Sequence, residues 1–218
     1  LLKLYGQGGN CGHIKPDYYN NGFMLADARE AFVLETVDRE WVVEKVEGVC
    51  ALSNVYSIGK RPHLVSDGLK KVIHDSGWSL ESEPDFAASL EDPSRQHIGT
   101  ARARRLRSTS LLTLREGCLR ATDMMSVLRD HGSPHHHSSE WRNECVVERT
   151  ICMHAGAADG SAQTVGSMVS ELHATNAVHW VTGGAAPCIS IFKPIMLDAP
   201  PPLGPSPTDQ FNPLAIWW

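Results

Sequence analysis

AFVLETVDREWVVEKV, residues 31–46, is the stretch that decides the fold class of this chain. It holds two short runs rich in β-branched and aromatic residues, separated by the charged turn at residues 38–40. Apolar and charged side chains alternate along the second run, so we expect one face of these strands to pack and the other to be partly wet. The stretch predicts a pair of antiparallel strands.

Similar runs flank this pair, NNGFMLAD at residues 20–27 and VCALSN at residues 49–54, and extend the prediction to a four-stranded meander. From Leu64 the apolar period becomes helical, with a stripe that ends at Gly77. The residues of that stripe are Leu64, Leu69, Val72 and Ile73.

Two more helices are predicted, at about residues 101–116 and at residues 121–130. In the first, Leu106, Ser110, Leu111 and Leu114 share one side. Its first turn is basic, and positive charge there interacts unfavourably with the helix macrodipole unless an anion or an acidic side chain lies nearby. In the second helix, Thr122 or Asp123 is the cap, and Met124, Met125 and Leu128 point inward. The arginines of the basic turn are Arg102, Arg104, Arg105 and Arg107.

Strand patterns return after a polar, histidine-rich stretch that predicts a loop at about residues 131–145. The strand candidates are RTICMHAG (149–156), QTVGSMVSEL (163–172), AVHWVTGG (177–184) and PCISIFKPIML (187–197). Strands, then helices, then strands predict an α+β layered domain at residues 1–198. Residues 199–218 predict a proline-rich tail or the start of a truncated continuation.

The composition of the chain limits the classes of function and the compartments that are expected. The 218 residues are 42% hydrophobic with a formal charge of −5, which gives no electrostatic reason to expect nucleic acid. The apolar runs are far shorter than the roughly 20 residues of a membrane span, so no membrane association is predicted. Six cysteines without a CxxC pair predict reduced thiols and favour a reducing, cytoplasmic compartment.

Four stretches carry a resemblance to a known family. They are GQGGNCG with the strand that follows, EAFVLET with WVVEKVEGV and LSN, MMSVLRDH, and the closing block from RTICMHAG to ISIFKP. In order and content they resemble the middle and later parts of the dipeptidase and secernin family of cysteine N-terminal-nucleophile hydrolases. The resemblance implies a four-layer αββα sandwich and the cleavage of a dipeptide or other small linear amide, with no cofactor.

In that family the first residue of the mature protein is a cysteine, whose own α-amino group is the base. An α-amino group has a pKa near 7.7, so much of it is unprotonated near neutral pH and can take the thiol proton. This chain begins with Leu1, and we expect the nucleophile to lie upstream and the 218 residues alone to be inactive. Processing ahead of Cys11 is disfavoured, because Gly12 to Pro16 does not read as a strand.

Asn54, in LSN, matches the asparagine that helps to form the oxyanion site in this hydrolase clan. Arg104 resembles the arginine that faces the nucleophile, where a guanidinium can lower the thiol pKa and hold a substrate carboxylate. The alternatives are an asparagine that only starts a turn and an arginine on a solvated helix face. The register of the arginine is uncertain by two residues, with Arg102 as the second choice.

No metal site is predicted. The adjacent histidines at 135–137 cannot all point one way, and His154, His173 and His179 alternate within strand-like segments. Cys152 and Cys188 are predicted to be small buried residues of adjoining strands. The alternative function is a non-catalytic, secernin-like protein-interaction domain, because mammalian secernins are linked to exocytosis. The sequence leaves the oligomeric state open, including a homo-oligomer.

Overall fold

The structure is a computed structural model that describes residues 21–37, 39–75, 77, 79, 83–91, 98–132, 150–154 and 163–198. The chain divides into two compact units, Leu1–Leu106 and Arg107–Trp218. Each unit contains one antiparallel sheet and helical segments, so the predicted α+β class is confirmed. The start of the chain, most of the histidine-rich stretch and the proline-rich tail lie outside the described residues.

The sheet of the first unit has the strand order β1-β2-β3-β4, and every neighbouring pair is antiparallel. Its first three strands coincide with the predicted runs, because the β-branched alternation and the charged turns dictate them. The register places Leu34 opposite Val43 and Glu35 opposite Val42. The strands are β1 (Gly22–Ala26), β2 (Ala31–Val37), β3 (Glu40–Lys45) and β4 (Leu64–Val65).

Both faces of this sheet are buried at its centre. Val33 and Val42 share one face, and both have an exposed fraction of 1%. Leu34 and Val43 lie on the opposite face and are also buried. The expectation of one packed and one partly wet face is therefore wrong at the centre, because alternation along a strand does not report whether a second layer covers the polar face.

Two helices pack against the face that carries Val33 and Val42. Helix α1 (Leu69–Asp75) buries Leu69 and Ile73, and Gly77 ends it with a φ of 70° and a backbone hydrogen bond to His74. Helix α2 (Phe86–Leu90) was not predicted, and its N-terminus is capped by the Asp85 carboxylate, which accepts from the Ala88 N–H. The joint core consists of Val33, Val42, Ile58, Leu69, Ile73 and Phe86.

Two predictions for residues 49–65 are wrong. Residues 49–54 belong to none of the described strands, because side chains satisfy the backbone of the segment that follows β3: Arg105 donates to the carbonyl oxygen of Ala51, and Glu35 accepts from two N–H groups. The fourth strand is formed instead by Leu64 and Val65, which pair with β3. Leu64 therefore lies in a strand and outside the predicted helical stripe.

Helix α3 (Ile98–Thr113) begins earlier than predicted, and the boundary between the two units falls within it. The turn IGTA precedes Arg102, so the arginines lie beyond the first turn and the macrodipole penalty largely disappears. The predicted apolar side is also wrong, because Leu106 and Leu114 are largely exposed and the buried side chains are Ala101 and Leu112.

The second unit is built from helix α4 and a three-stranded sheet. Helix α4 (Ala121–Leu128) lies where it was predicted, but the predicted cap at Thr122 or Asp123 is wrong, because the N-cap is Arg120 and Asp123 accepts a hydrogen bond from its N–H. The strands are β5 (Met168–Leu172), β6 (Ala177–Thr182) and β7 (Phe192–Ile195), in that order. Met125, Val169 and Phe192 join α4 to this sheet in a second core.

The predicted strand at residues 149–156 is wrong for the part that the structure describes. Residues 150–154 are irregular, and their backbone groups pair with two other segments of the unit. The Cys152 N–H donates to the Asp130 carbonyl, and the Thr164 N–H donates to the Met153 carbonyl, both at 3.0 Å. Strand-like composition alone could not show that these partners are not another strand.

Truncation of Phe86 to alanine tests the first core. Phe86 has an exposed fraction of 0%, so its loss should reduce the free energy of unfolding by about 3–5 kcal/mol. Urea unfolding of the chain measures the change. Leu64→Ala, at a residue with an exposed fraction of 49%, is the control and should cost much less. Equal losses in the two variants would contradict this description of the core.

Candidate functional site

The structure brings the two predicted site residues together. The Arg104 Nη2 group of α3 donates a hydrogen bond to the Oδ1 atom of Asn54 at 2.7 Å. Asn54 is exposed and Arg104 is half-buried, so the pair lies at the surface of the first unit. The contact bridges 50 residues of sequence. The contact shows that Arg104 and Asn54 lie close together, but their roles remain predictions.

The contact also orients the Asn54 amide. A guanidinium carries only donors, so the amide atom that faces Arg104 must be the oxygen. The Nδ2 group is then turned away from the arginine. Asn54 consequently presents a neutral N–H donor beside a fixed positive charge.

Five hydrogen bonds hold the segment that carries Asn54. The Glu35 carboxylate of β2 accepts from the Ser57 N–H at 2.7 Å, the Ser57 hydroxyl at 2.6 Å and the Ile58 N–H at 3.1 Å. The Tyr56 hydroxyl donates to the Thr36 carbonyl at 3.0 Å. On the other side of Asn54, Arg105 donates to the Ala51 carbonyl at 3.2 Å. Asn54 is thus tied to β2 and α3 on both sides.

The neighbouring arginines of α3 have other partners. Arg102 contacts the Glu91 carboxylate, and Arg107 forms a two-pronged pair with Asp130 through Nε at 3.0 Å and Nη2 at 2.8 Å. The Asp130 contact raises the pKa of Arg107. Arg102 and Arg107 thus have acidic partners, and Arg104 is the arginine of this group that contacts Asn54.

A second cluster of reactive side chains lies in the second unit. The metal-binding atoms of its four residues all fall within 4.8 Å of one another. The His154 Nε2 atom is 3.1 Å from His131 Nε2, 3.4 Å from the Cys152 sulfur and 3.3 Å from the Cys188 sulfur. The cluster consists of His131, Cys152, His154 and Cys188, and we call it the Cys/His cluster.

Burial controls the ionisation of the Cys/His cluster. Cys152 has an exposed fraction of 0%, and desolvation raises the pKa of its thiol to about 12. Desolvation also lowers the pKa of His154, which keeps the imidazole neutral near pH 7. The groups are therefore a buried thiol and a neutral imidazole, with Cys188 and His131 half-buried beside them.

Sequence reasoning missed this cluster. The prediction that Cys152 is buried is confirmed, although it does not lie in a strand. His179 lies in β6 as predicted, and its Nδ1 atom is 2.8 Å from the Ser170 hydroxyl, but its buried Nε2 atom has no hydrogen-bond partner among the described residues, so it is only half satisfied. The prediction that His154 lies in a strand is wrong, because residues 150–154 are irregular. The available signal was the CMH triplet, which places a thiol and an imidazole two residues apart. The three adjacent histidines, 135–137, lie outside the described residues.

No family model matches the chain, and no solved structure matches it. Among the described residues, no helix combines the length and the apolar character needed to cross a membrane.

Replacement of Glu35 by glutamine tests the anchoring of the Asn54 segment. Desolvation raises the pKa of the buried Glu35 carboxyl above 4.5, although Ser57 and Ile58 oppose the shift. Its stabilising contribution is therefore complete below about pH 4.5 and is lost as the pH rises through the raised pKa. We expect wild type to lose stability relative to Glu35→Gln across that window.

Urea unfolding at a series of pH values measures the difference. The matched control is Glu30→Gln, which removes an exposed carboxylate that pairs with Lys45. Parallel pH profiles for wild type and Glu35→Gln would contradict the assignment. Glutamine also places an N–H group against the donors of Ser57 and Ile58, which costs about 1–3 kcal/mol at every pH.

Proposed function

We propose that the chain is part of a cysteine amide hydrolase of the dipeptidase and secernin type. Its substrate is a dipeptide or a small linear amide, its nucleophile is a cysteine upstream of Leu1, and Asn54 and Arg104 belong to its active site. The observation that carries the proposal is the 2.7 Å contact between the Arg104 guanidinium and Asn54 Oδ1. Two residues chosen from a family resemblance thus meet across 50 residues of sequence.

The orientation of Asn54 suits an oxyanion donor. The Nδ2 group faces away from the guanidinium and can donate to the oxygen that becomes negative when a nucleophile adds to an amide carbonyl. One such donor is worth about 3 kcal/mol in the transition state. Because Glu35, Tyr56 and Arg105 hold the segment before the reaction begins, the donor does not have to be ordered during catalysis.

Arg104 supplies the positive charge of the proposed site. A guanidinium beside a thiol favours the thiolate, and its planar fork can hold the carboxylate of a dipeptide through two hydrogen bonds. Arg104 uses Nη2 for Asn54, so one residue both fixes the oxyanion donor and carries the charge.

The burial of the first sheet supports the four-layer αββα sandwich that this proposal includes. Helices α1 and α2 pack on one face of β2 and β3, and the opposite face is nevertheless buried at Leu34, Thr36 and Val43. An inner sheet of a sandwich needs helices on one face and an apolar layer on the other.

The proposed reaction has two steps. The cysteine sulfur adds to the amide carbonyl carbon while its α-amino group takes the thiol proton; the C–N bond then breaks, and the proton leaves with the amine. Water next adds to the thioester, the C–S bond breaks, and a carboxylic acid and the free cysteine are formed. Asn54 would donate to the oxyanion in both steps.

A non-catalytic interaction domain is the second candidate. The observation that favours it is strand β1, which lies at the edge of its sheet and exposes Met24 by 50% and Leu25 by 40%. An apolar edge strand is a surface on which another chain can add a strand. The two candidates differ in one measurable property, the turnover of a dipeptide.

The test uses the protein together with the segment encoded upstream of Leu1. We expect hydrolysis of a dipeptide panel, followed by the release of amino acids, and we expect Asn54→Ala to lower kcat by roughly 10²–10³ fold because the oxyanion donor is lost. Turnover without any loss in Asn54→Ala would contradict the role of Asn54, and no turnover of any dipeptide would favour the interaction domain.

Arg104→Gln has a matched control in the same helix. It should raise KM for dipeptides with a free carboxylate more than for the corresponding amides, because the two-pronged contact is lost. Arg102→Gln, which removes the pair between the exposed Arg102 and the largely buried Glu91 carboxylate, should change neither constant appreciably, because the pair takes no part in the hydrogen bond between Arg104 and Asn54 in the described structure. Equal effects of the two substitutions would contradict the placement of Arg104 in the site.

The chain from Leu1 to Trp218 alone should release no amino acids above buffer.

A further inference from the structure

We propose that His131, Cys152, His154 and Cys188 bind one zinc ion in a tetrahedral structural site. None of these residues takes part in the proposed hydrolysis, so the inference stands on separate observations. All four belong to the second unit and to the described residues.

The separations of the other three donor atoms from His154 Nε2 are close to those of a zinc coordination shell, and all four donor atoms lie within 4.8 Å of one another. With Zn–N distances of roughly 2.0–2.1 Å and Zn–S distances of about 2.3 Å, a tetrahedron places two nitrogens about 3.3 Å apart and a nitrogen and a sulfur about 3.6 Å apart. The corresponding distances from His154 Nε2 are 3.1 Å to His131 Nε2, 3.4 Å to Cys152 and 3.3 Å to Cys188.

Hydrogen bonding alone does not account for this convergence. A neutral imidazole nitrogen carries either one hydrogen or one lone pair, both directed along one line in the ring plane. The Nε2 atom of His154 nevertheless has three close polar neighbours, and it can form a well-directed hydrogen bond with at most one of them. An ion between the four atoms would bind all of them at once.

Two residues join the segments that carry the ligands. Thr164 donates its N–H to Met153 O at 3.0 Å, accepts from Met153 N–H through its hydroxyl at 2.9 Å and accepts from Ala186 N–H at 2.8 Å. It therefore links the segment of Cys152 and His154 to the turn that contains Cys188. The Cys152 N–H, which donates to Asp130 O, links the same segment to the end of α4.

The flanking backbone is held in place as well. Arg129 donates through Nε to Pro187 O at 2.8 Å and through Nη2 to Ser190 O at 2.9 Å, so both sides of Cys188 are fixed. Ala186 has a φ of 61°, a conformation that a residue with a Cβ adopts only when its surroundings enforce it. Gly132, with a φ of 76°, turns the chain directly after His131.

The types of the four ligands indicate which metal ion binds, and their number and burial indicate whether the site is structural or catalytic. Thiolates and imidazoles in a tetrahedral arrangement favour zinc over calcium or magnesium, which prefer oxygen. Two thiolates neutralise the charge of Zn²⁺, which allows the group to lie beside the fully buried Cys152. Four protein ligands leave no open position for water, so the site is structural and not catalytic.

The first test measures metal in wild type and in matched variants. We expect about one zinc per chain after purification without added metal, and Cys188→Ser should lower the zinc affinity by more than the roughly 10–100-fold that follows loss of an outer-shell partner. Cys118→Ser, at an exposed thiol outside the cluster, and His136→Ala, in the adjacent histidines, should retain the zinc. Zinc that survives in Cys188→Ser but is lost in His136→Ala would overturn the proposal.

The second test uses wild type alone and therefore does not depend on the folding of a variant. Removal of the metal by a chelator should lower the melting temperature, and added Zn²⁺ should restore it. Co²⁺ added to the metal-free chain should give the intense visible absorption of a tetrahedral ion with thiolate ligands. A chain that purifies without metal, takes up neither ion, or carries a Cys152–Cys188 disulfide in the intact mass would overturn the proposal.

Discussion

The buried carboxylate of Glu35 is the constraint on which the first unit depends. It lies in the middle of β2 and accepts three hydrogen bonds from Ser57 and Ile58. A carboxylate in that position is tolerated only when such donors meet it, because burial without hydrogen bonds is costly. The donors belong to the irregular segment that carries Asn54. The hydrogen bonds that stabilise the buried Glu35 carboxylate therefore also fix the position of Asn54, a candidate catalytic residue.

The second unit uses the same principle with different groups. Residues 150–154 and 186–190 form no described strand, yet their backbone groups need partners as much as those of a strand do. Thr164 and Arg129 supply these partners. Partners outside a strand ladder, both backbone groups and side chains, allow the chain to turn, and the turns bring two thiols and two imidazoles together. In both units the candidate sites lie on irregular segments, which β2 and α3 hold in the first unit and Thr164 and Arg129 hold in the second.

Much of the regular structure follows from local patterns. Strands β1, β2 and β3 and strands β5, β6 and β7 were recognised because β-branched and aromatic runs are bounded by turns, and helices α1 and α4 because their apolar residues repeat with a helical period. The failures have a common cause. The runs at residues 49–54 and 149–156 have the composition of strands, but the hydrogen bonds of their described residues go to side chains and distant backbone groups, which no local pattern reports.

The sequence by itself determined the α+β class, the main strands and helices and, through a family resemblance, the choice of Asn54 and Arg104. Only the tertiary structure decided that Arg104 and not Arg102 meets Asn54, and that His131 and Cys188 lie beside Cys152 and His154. The physical reason is range. Strand and helix preferences act over a few neighbouring residues, whereas a site forms from segments that meet only after two cores and a set of side-chain to backbone hydrogen bonds have closed the chain on itself.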